Sequence, residues 1–391
     1  MRTFAALACL AVVASCNDGA THIESPNNQD LRVSAAKGGS GGGGATKIKT
    51  VTVSPASASV EAGSTLQLSA TTKPAASATF EWASSNQTIA TVSQSGLVTG
   101  VAAGVATISA TAGGKTGRST VTVTAAPPAG SQIMLGAGDI SDCNNNNDEA
   151  TAKVLDANPA GLVFLLGDNA YENGSASDYS NCYNPTWGRH KSRTKPSPGN
   201  HEYNTAGASG YFGYFGTAAG DPAKGYYSYD AGDWHVVVLN SSIAHEAGSA
   251  QITWLESDLT ANTKTCTMAY WHHPRFSSGE HGNNSLMQSY WDVLYAHNAD
   301  LILNGHDHHY ERFAPQTPTG QLDTSRGIRE FIVGTGGRAL YGLGTRKANS
   351  DVFNAATYGV MKLTLSAGSY SWQFLPIAGQ SFTDSGTQSC H

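Results

Sequence analysis

An apolar run, Leu162–Leu166, ends directly in the polar segment Gly167-Asp168-Asn169-Ala170-Tyr171. Five consecutive apolar residues are typical of a strand buried on both faces, so the polar segment begins a loop at the end of that strand. Loops at strand ends are where α/β proteins keep their chemistry. The two oxygens of the Asp168 carboxylate can bridge two cations, and Tyr171 can offer a phenolate to one of them if the loop turns back.

The region after this strand alternates strand patterns with helical patterns. Strands are predicted at 133–135, 162–166, 235–239, 267–271, 301–303, 330–333, 359–365 and 371–374. Helices are predicted at 148–157, 251–259 and 285–297. Both layers of an α/β sandwich are therefore available, and we predict one catalytic domain over residues 131–391.

Residues 47–124 alternate apolar and polar side chains in short runs separated by Gly or Pro, which predicts a small antiparallel sandwich. This segment contains no His, Cys or Asp, so it cannot build a transition-metal or acid-base site of the usual kind. Its patterns Val51-Thr52-Val53-Ser54-Pro55 and Gly96-Leu97-Val98-Thr99-Gly100 resemble the group 2 bacterial immunoglobulin-like domain. That resemblance implies a spacer or adhesion module whose partner is a cell-surface glycan or protein.

The N-terminus has the features of a secretory signal peptide, which we place at residues 1–15. An apolar run too short to span a bilayer leads into Val13-Ala14-Ser15-Cys16, which resembles the bacterial lipoprotein cleavage box. The resemblance implies that Cys16 is lipidated, which gives an exported lipoprotein held at the cell envelope only by its lipid anchor. The alternative is a plain cleaved signal and a secreted protein. Residues 17–46, which end in a glycine-rich run, are predicted to be a flexible linker, and residues 125–130 a short stiff one.

Charge and cysteine usage restrict the partners and the compartment. Charged residues make up 13% of the chain, against about a quarter in average soluble domains, which favours an exported, strand-rich protein. The net charge of -6 argues against nucleic acid as a partner. A phosphate ester small-molecule substrate remains compatible if metal ions supply the positive charge.

Four cysteines remain once Cys9 leaves with the signal peptide and Cys16 is assigned to lipid. An even number in an exported chain indicates disulfides, although the sequence does not determine their connectivity. We favour Cys143 with Cys182, because both follow loops that must converge, and this leaves Cys266 with Cys390. Metal ligation by cysteine is disfavoured because no two cysteines have the close C-x-x-C spacing.

Residues that suit metal ions recur in the loops that follow the predicted strands, and seven of the thirteen histidines lie from His272 to His309. Two cations about 3.5–4 Å apart can bind a phosphoryl group together and lower the pKa of a bound water. A neutral asparagine oxygen keeps the total charge of such a site low enough to accept an anion. In chain order, the predicted metal ligands are Asp139, Asp168, Tyr171, Asn200, His272, His306 and His308.

Five motifs occur together in the second domain: Gly138-Asp139, the Asp168 to Tyr171 segment, Gly199-Asn200-His201-Glu202, His272-His273-Pro274 and Gly305-His306-Asp307-His308. In this order they resemble the purple acid phosphatases within the calcineurin-like metallophosphoesterases. The resemblance implies an all-β immunoglobulin-like sandwich followed by an α/β (α+β four-layer) metallophosphoesterase sandwich. The chain departs from the family where Ser141 replaces a usual glycine and where Gly282 replaces the second histidine that plant relatives carry after His281.

The same resemblance implies an exported phosphatase that hydrolyses phosphomonoesters by a metal-bound hydroxide. Asp168 would bridge the two metals, and His201 and His281 would be the catalytic residues, which bind the substrate phosphate or protonate the leaving alcohol. The ferric ion would be held by Asp139, Tyr171 and His308. The divalent ion, which would be zinc, manganese or iron, would be held by Asn200, His272 and His306.

Two other functions stay open at this point. The first is a phosphodiesterase or nucleotidase that uses the same metals, and the second is a surface adhesin or carbohydrate-binding protein with a degenerate second domain. Among the neighbouring residues, His273 and His309 are predicted to pack or hydrogen-bond beside the ligands, and Glu202 to orient His201. The aromatic residues between 203 and 215 form either a substrate rim or, more commonly, core.

Overall fold

The structure is a computed structural model that describes residues 47–75 and 77–391. The predicted signal peptide, Cys16 and the linker 17–46 lie outside these residues. Within the described ranges, no helix is both long enough and apolar enough to cross a membrane.

The first domain consists of nine short strands. They are β1 (Thr50–Ser54), β2 (Ser57–Glu61), β3 (Thr65–Gln67), β4 (Ser69–Lys73), β5 (Glu81–Ser84), β6 (Ala90–Val92), β7 (Leu97–Gly100), β8 (Gly104–Ala112) and β9 (Lys115–Thr124). They form sheets of two, four and three strands, in the orders β1-β4, β2-β9-β8-β5 and β3-β7-β6. The predicted sandwich is confirmed, but it is not wholly antiparallel, because β2 pairs with β9 in parallel.

The core of this sandwich follows from the alternation of its strands. In β9 every second residue is buried, including Val121 and Val123, while the residues between them face outward. Trp82, Val98 and Ile108 from three other strands fill the same core. A strand with one buried and one exposed face produces this two-residue period.

The second domain contains two larger sheets. Its strands are β10 (Gln132–Ala137), β11 (Leu162–Leu166), β12 (Thr194–Ser197), β13 (Tyr227–Ala231), β14 (Trp234–Val238), β15 (Cys266–Tyr270), β16 (Leu301–Asn304), β17 (Tyr310–Phe313), β18 (Arg329–Val333), β19 (Ser350–Asn354), β20 (Gly359–Ser366), β21 (Ser369–Pro376) and β22 (Ser385–Ser389). One sheet has the order β12-β11-β10-β20-β21-β22, and the other has the order β13-β14-β15-β16-β18-β17-β19. All eight strands predicted for this domain are present.

Five α-helices accompany these sheets. They are α1 (Asn147–Asp156), α2 (Ala176–Asp178), α3 (Ser209–Phe215), α4 (Ala250–Ala261) and α5 (Gln288–Ala296). Helix α4 begins after Ser249, whose side chain accepts a hydrogen bond from the backbone N–H of Ile252 at 3.4 Å, a common N-terminal cap. The three long helices were predicted, whereas the short helical turns between residues 176 and 219 were not.

The two sheets of the second domain pack face to face, and helices cover their outer faces. Leu363 of β20 and Tyr270 of β15 belong to the core between the sheets. Leu255 of α4 and Trp291 of α5 belong to a second core on the other side of the β15 sheet. The predicted four-layer fold is therefore confirmed.

Covalent and ionic links tie distant parts of the described chain together. The disulfides are Cys143–Cys182 and Cys266–Cys390, as the sequence analysis favoured. Lys362 of β20, which is 7% exposed, forms an ion pair with Glu61 of β2 in the first domain.

Candidate metal centre

The predicted ligands converge because parallel strands end at the same edge of a sheet. Strands β10, β11 and β12 run parallel to one another, and so do β14, β15, β16 and β18. The loops that follow five of these strands carry the polar side chains, and they hold Asp139, Asp168, Asn200, His272 and His306. Ligand sites of α/β proteins lie outside the carboxyl ends of strands for this reason.

Three of these residues have backbone conformations that side chains rarely adopt. The φ angles are 59° for Asp139, 50° for Asp168 and 71° for His306. A non-glycine residue in this region costs on the order of 1–3 kcal/mol and persists where surrounding contacts enforce it, often at functional sites. One such contact joins two of these residues: Asp139 Oδ2 accepts the backbone N–H of His306 at 2.9 Å.

Glycines beside the ligands allow the loops to approach one another. A Cβ on Gly199 would lie 2.1 Å from Asp168 Oδ1, and a Cβ on Gly167 would lie 2.6 Å from His272 Nδ1. Both distances are far below van der Waals contact, so no other residue fits. The glycines in the Gly-Asp and Gly-Asn-His motifs are therefore required by the packing of the site.

One group of donor atoms surrounds the hydroxyl of Tyr171. Its Oη lies 3.1 Å from Asp139 Oδ1, 3.2 Å from His308 Nε2 and 3.3 Å from Asp168 Oδ2. Tyr171 itself is 4% exposed, so these four side chains form a closed cluster.

A second group surrounds His272. Its Nε2 lies 3.1 Å from Asn200 Oδ1, 3.2 Å from His306 Nδ1 and 3.2 Å from Asp168 Oδ2. Asp168 Oδ2 thus belongs to both groups, whereas Oδ1 accepts the backbone N–H of His201 at 2.9 Å. The structure corrects one detail of the sequence analysis: a single oxygen of Asp168, not both, lies between the two groups.

Both clusters fit metal ions. His272 Nδ1 lies 2.8 Å from the carbonyl of Leu166, and His308 Nδ1 lies 2.7 Å from the carbonyl of Ala339. A carbonyl only accepts, so each Nδ1 carries a proton, and in the neutral ring each Nε2 presents a lone pair to the cluster. Ligands about 2.1 Å from one ion stand about 3.0–3.4 Å apart, which is the spacing found here. All seven predicted ligands are brought together.

Burial and the carboxylates of Asp139 and Asp168 dominate the electrostatics of the site. Burial raises the pKa of Tyr171, and the carboxylates of Asp139 and Asp168 raise it further. Burial opposes the charge of His272, but Asp168 outweighs it and raises the pKa of His272 to about 9. Burial and the neighbouring His272 lower the pKa of His306. Tyr171 could ionise beside two buried carboxylates only if a strong positive charge lay at the same place.

Glu202 hydrogen-bonds to the backbones of the two loops that carry Asp168 and Asn200. It is fully buried and accepts the backbone N–H groups of Asp168 at 2.9 Å, Asn169 at 2.8 Å and Gly199 at 2.7 Å. The hydroxyl of Tyr179 donates a fourth bond at 3.0 Å. The prediction that Glu202 orients the His201 side chain is therefore wrong, because its carboxylate is used by the loop backbones.

The two predicted catalytic histidines stand on opposite sides of the centre. The ring of His201 packs on Tyr171 with centroids 4.5 Å apart, and its Nδ1 lies 2.6 Å from the carbonyl of Glu172. The ring of His281 lies 4.2 Å from that of His306, and its Nδ1 lies 2.8 Å from Asp307 Oδ1. The side chain of His281 is 45% exposed, which leaves its other ring edge open.

Several residues around the candidate metal centre were not identified from the sequence. Asp307 is fully buried and also accepts the backbone N–H of His281, but it stands between two predicted ligands in the sequence and was not singled out. Arg338 lies 4.6 Å from the Tyr171 ring, and Tyr341 stacks on His308 at 3.9 Å. Both belong to the loop after β18, which carries no recognisable motif.

Two predicted neighbours and the aromatic cluster have clear places. His309 is fully buried and lies 3.1 Å from Glu311, away from the donor clusters, while His273 lies against His306. Tyr211 and Phe215 are buried in the core, so the aromatic residues do not act as a unit at a substrate rim.

Comparison with known families follows the same division of the chain. Residues 47–125 match the family model for the group 2 bacterial Ig-like domain, and residues 135–310 match that for calcineurin-like phosphoesterases. Residues 135–310 form a calcineurin-like phosphoesterase domain. Both family resemblances noted in the sequence are thereby confirmed.

Relatives of this phosphoesterase domain include plant proteins. Purple acid phosphatase 15 of Arabidopsis thaliana is 30% identical over 237 residues, which cover 51% of this chain and 44% of that protein. Purple acid phosphatase 13 of the same plant is 28% identical over 224 residues, which cover 45% of this chain and 41% of that protein. The chain thus spans less than half the length of these relatives.

A solved structure agrees with the fold. Purple acid phosphatase PPD1 from yellow lupin (Lupinus luteus) seeds superposes with a TM-score of 0.52 at 17% identity, covering 83% of this chain and 67% of that one. This likeness concerns the fold alone.

Proposed function

We propose that this protein is a phosphatase that hydrolyses phosphomonoesters at a dinuclear metal centre. The observation that carries the proposal is the position of Asp168 Oδ2, 3.3 Å from Tyr171 Oη and 3.2 Å from His272 Nε2. One carboxylate oxygen shared by two donor clusters is what a pair of bridged cations needs. The similarity to plant purple acid phosphatases supports the same function.

The two clusters differ in charge, and this suggests which ion each would hold. Asp139, Tyr171 and His308 offer two anionic oxygens and one nitrogen, a donor set suited to Fe(III). Asn200, His272 and His306 are neutral donors, which suit a divalent zinc, manganese or iron ion. When bound, such a pair would supply a nucleophile near neutral pH and offset the charge of the phosphoryl group.

The exposed histidines would handle the leaving group and the phosphate. His281 is fixed at Nδ1 by Asp307, so its free Nε2 faces outward. As the bond from phosphorus to the leaving oxygen breaks, that oxygen takes the proton from His281 Nε2, and the ring regains a proton from solvent. His201, whose Nε2 lies 3.8 Å from Asp168 Oδ2, would contact the phosphoryl group on the opposite side.

A substrate panel tests this function against its nearest alternative. Metal-replete protein should hydrolyse 4-nitrophenyl phosphate and alkyl phosphates faster than bis(4-nitrophenyl) phosphate. A preference for the diester would instead establish a phosphodiesterase. No activity on any ester, in protein that carries two ions per chain, would contradict the phosphatase proposal.

We also propose that the protein is exported and anchored through Cys16. The two disulfides support an oxidising compartment. In a bacterial host, the natural chain should partition with membranes and incorporate labelled palmitate, and Cys16→Ser should do neither. Equal labelling of both chains would contradict the anchor.

A further inference from the structure

His273 lies beside the candidate metal centre, but it belongs to neither donor cluster. Its ring centroid is 4.9 Å from that of His272 and 4.2 Å from that of His306. One ring nitrogen of each of these three histidines lies within 4.8 Å of the others. A third imidazole therefore borders the side of the centre that would hold the divalent ion.

The neighbouring Ser241 contacts both the backbone and the ring of His273. Ser241 is buried, and its Oγ accepts the backbone N–H of His273 at 3.2 Å and lies 2.8 Å from His273 Nδ1. A hydroxyl that already accepts one hydrogen bond has its own proton to donate, and Nδ1 is the acceptor in reach. When Ser241 donates to Nδ1, the imidazole proton resides on Nε2.

In that tautomer, His273 Nε2 is a free donor. The hydrogen bonds within residues 47–75 and 77–391 include none from this atom, and the residue is half-buried at the edge of the site. A directed N–H group beside two candidate metal ligands suits an anionic oxygen, because hydrogen bonds to charged acceptors are about twice as strong as neutral ones.

We propose that His273 donates a hydrogen bond from Nε2 to a phosphoryl oxygen of the bound substrate, and that Ser241 is its positioning residue. This inference rests on the proposed function and adds a substrate contact beside the cluster that is proposed to hold the divalent ion. The same contact would hold inorganic phosphate, the reaction product, so phosphate inhibition reports on it directly.

The variants His273→Asn and His273→Gln, whose amide side chains differ only in length, test the contact. The amide nitrogen of Gln extends to the position of Nε2, whereas that of Asn stops near the position of Nδ1. With inorganic phosphate as the competitive inhibitor and 4-nitrophenyl phosphate as the substrate, we expect His273→Asn to raise both Ki and KM about tenfold with two ions still bound. His273→Gln should raise them less than about threefold.

Metal analysis of the variants distinguishes a substrate contact of His273 from simple packing of its ring against His306. If His273→Asn loses an ion, or if it keeps the wild-type Ki for phosphate, the inference is overturned. Ser241→Ala should shift Ki in the same direction with a smaller effect on kcat, because the ring loses its orientation. His297→Gln, a histidine substitution at the end of α5, is the matched control and should leave Ki unchanged.

The outcome is separable from that of the proposed function. A wild-type protein that binds no ions or hydrolyses no phosphate ester refutes the function before any variant is measured. An active wild type whose Ki for phosphate matches that of His273→Asn refutes only the contact.

Discussion

Gly199→Ala offers a sharp test of the ligand geometry, because its effect can be worked out from one distance. The new Cβ would lie 2.1 Å from Asp168 Oδ1 and 2.4 Å from the Asp168 backbone nitrogen. Ordinary contact begins at 3.4 Å, so the Asp168 carboxylate must move away by about 1.3 Å, the difference between the two values. Metal-ligand distances tolerate changes of only about 0.2 Å.

We therefore expect Gly199→Ala to bind fewer than two ions per chain and to lose at least about a hundredfold in kcat/KM, since a misplacement of about 1 Å can have that effect. Overpacking should also lower the free energy of unfolding by about 1–3 kcal/mol. The assay combines metal analysis, steady-state kinetics and thermal unfolding on one preparation.

Gly213→Ala is the matched control. Gly213 is exposed in helix α3, and a Cβ there would meet no atom within 4 Å, so we expect full metal content and unchanged kinetics. If Gly199→Ala kept two ions and the wild-type kcat/KM while folded, Asp168 could not be held as the structure places it, and the reasoning would be refuted.

Three further substitutions test the structural role of Glu202, the ion pairs of His235 and the proposed proton donor His281. Glu202→Gln places an amide N–H₂ against backbone donors and should lower the free energy of unfolding by about 1–3 kcal/mol, measured in urea; an unchanged midpoint would contradict its role. Burial alone would lower the pKa of His235, but Asp258 and Asp230 raise it. The stability that His235 contributes is therefore fully present below its unfolded pKa of about 6.5 and is lost as pH rises through the higher folded value. His235→Gln should make the free energy of unfolding, measured in urea, less dependent on pH between pH 6 and 9. An unaltered pH dependence would argue against the ion pairs. His281→Ala should reduce kcat about a hundredfold for an alkyl phosphate but much less for 4-nitrophenyl phosphate, which has a good leaving group; equal losses would exclude a proton-donating role.

The strands and the ligand set were accessible from the sequence because both leave local signals. Buried strands such as Leu162–Leu166 read as apolar runs, and the predicted ligands Asp139, Asp168 and His306 each follow such a run directly after a glycine. The structure adds the reason for those glycines, since Gly167 and Gly199 stand where a side chain would strike His272 or Asp168.

The roles of the supporting residues could not be predicted from the sequence, because they depend on segments far apart in the chain. Glu202 binds amides of a loop more than thirty positions away, and Arg338 reaches Tyr171 from the loop after β18. The parallel pairing of β2 with β9 is likewise a non-local choice that alternation along one strand does not encode. The short helical turns after residue 176 lack a helical period long enough to detect.

The central claim is that two ions share Asp168 and that Tyr171 ligates one of them, and metal analysis with a visible spectrum on the same natively purified sample tests it most directly. We predict two ions per chain, one of them iron, and a visible absorption band that Tyr171→Phe abolishes while iron remains bound. A single ion, no iron, or a band that survives in Tyr171→Phe would contradict the account.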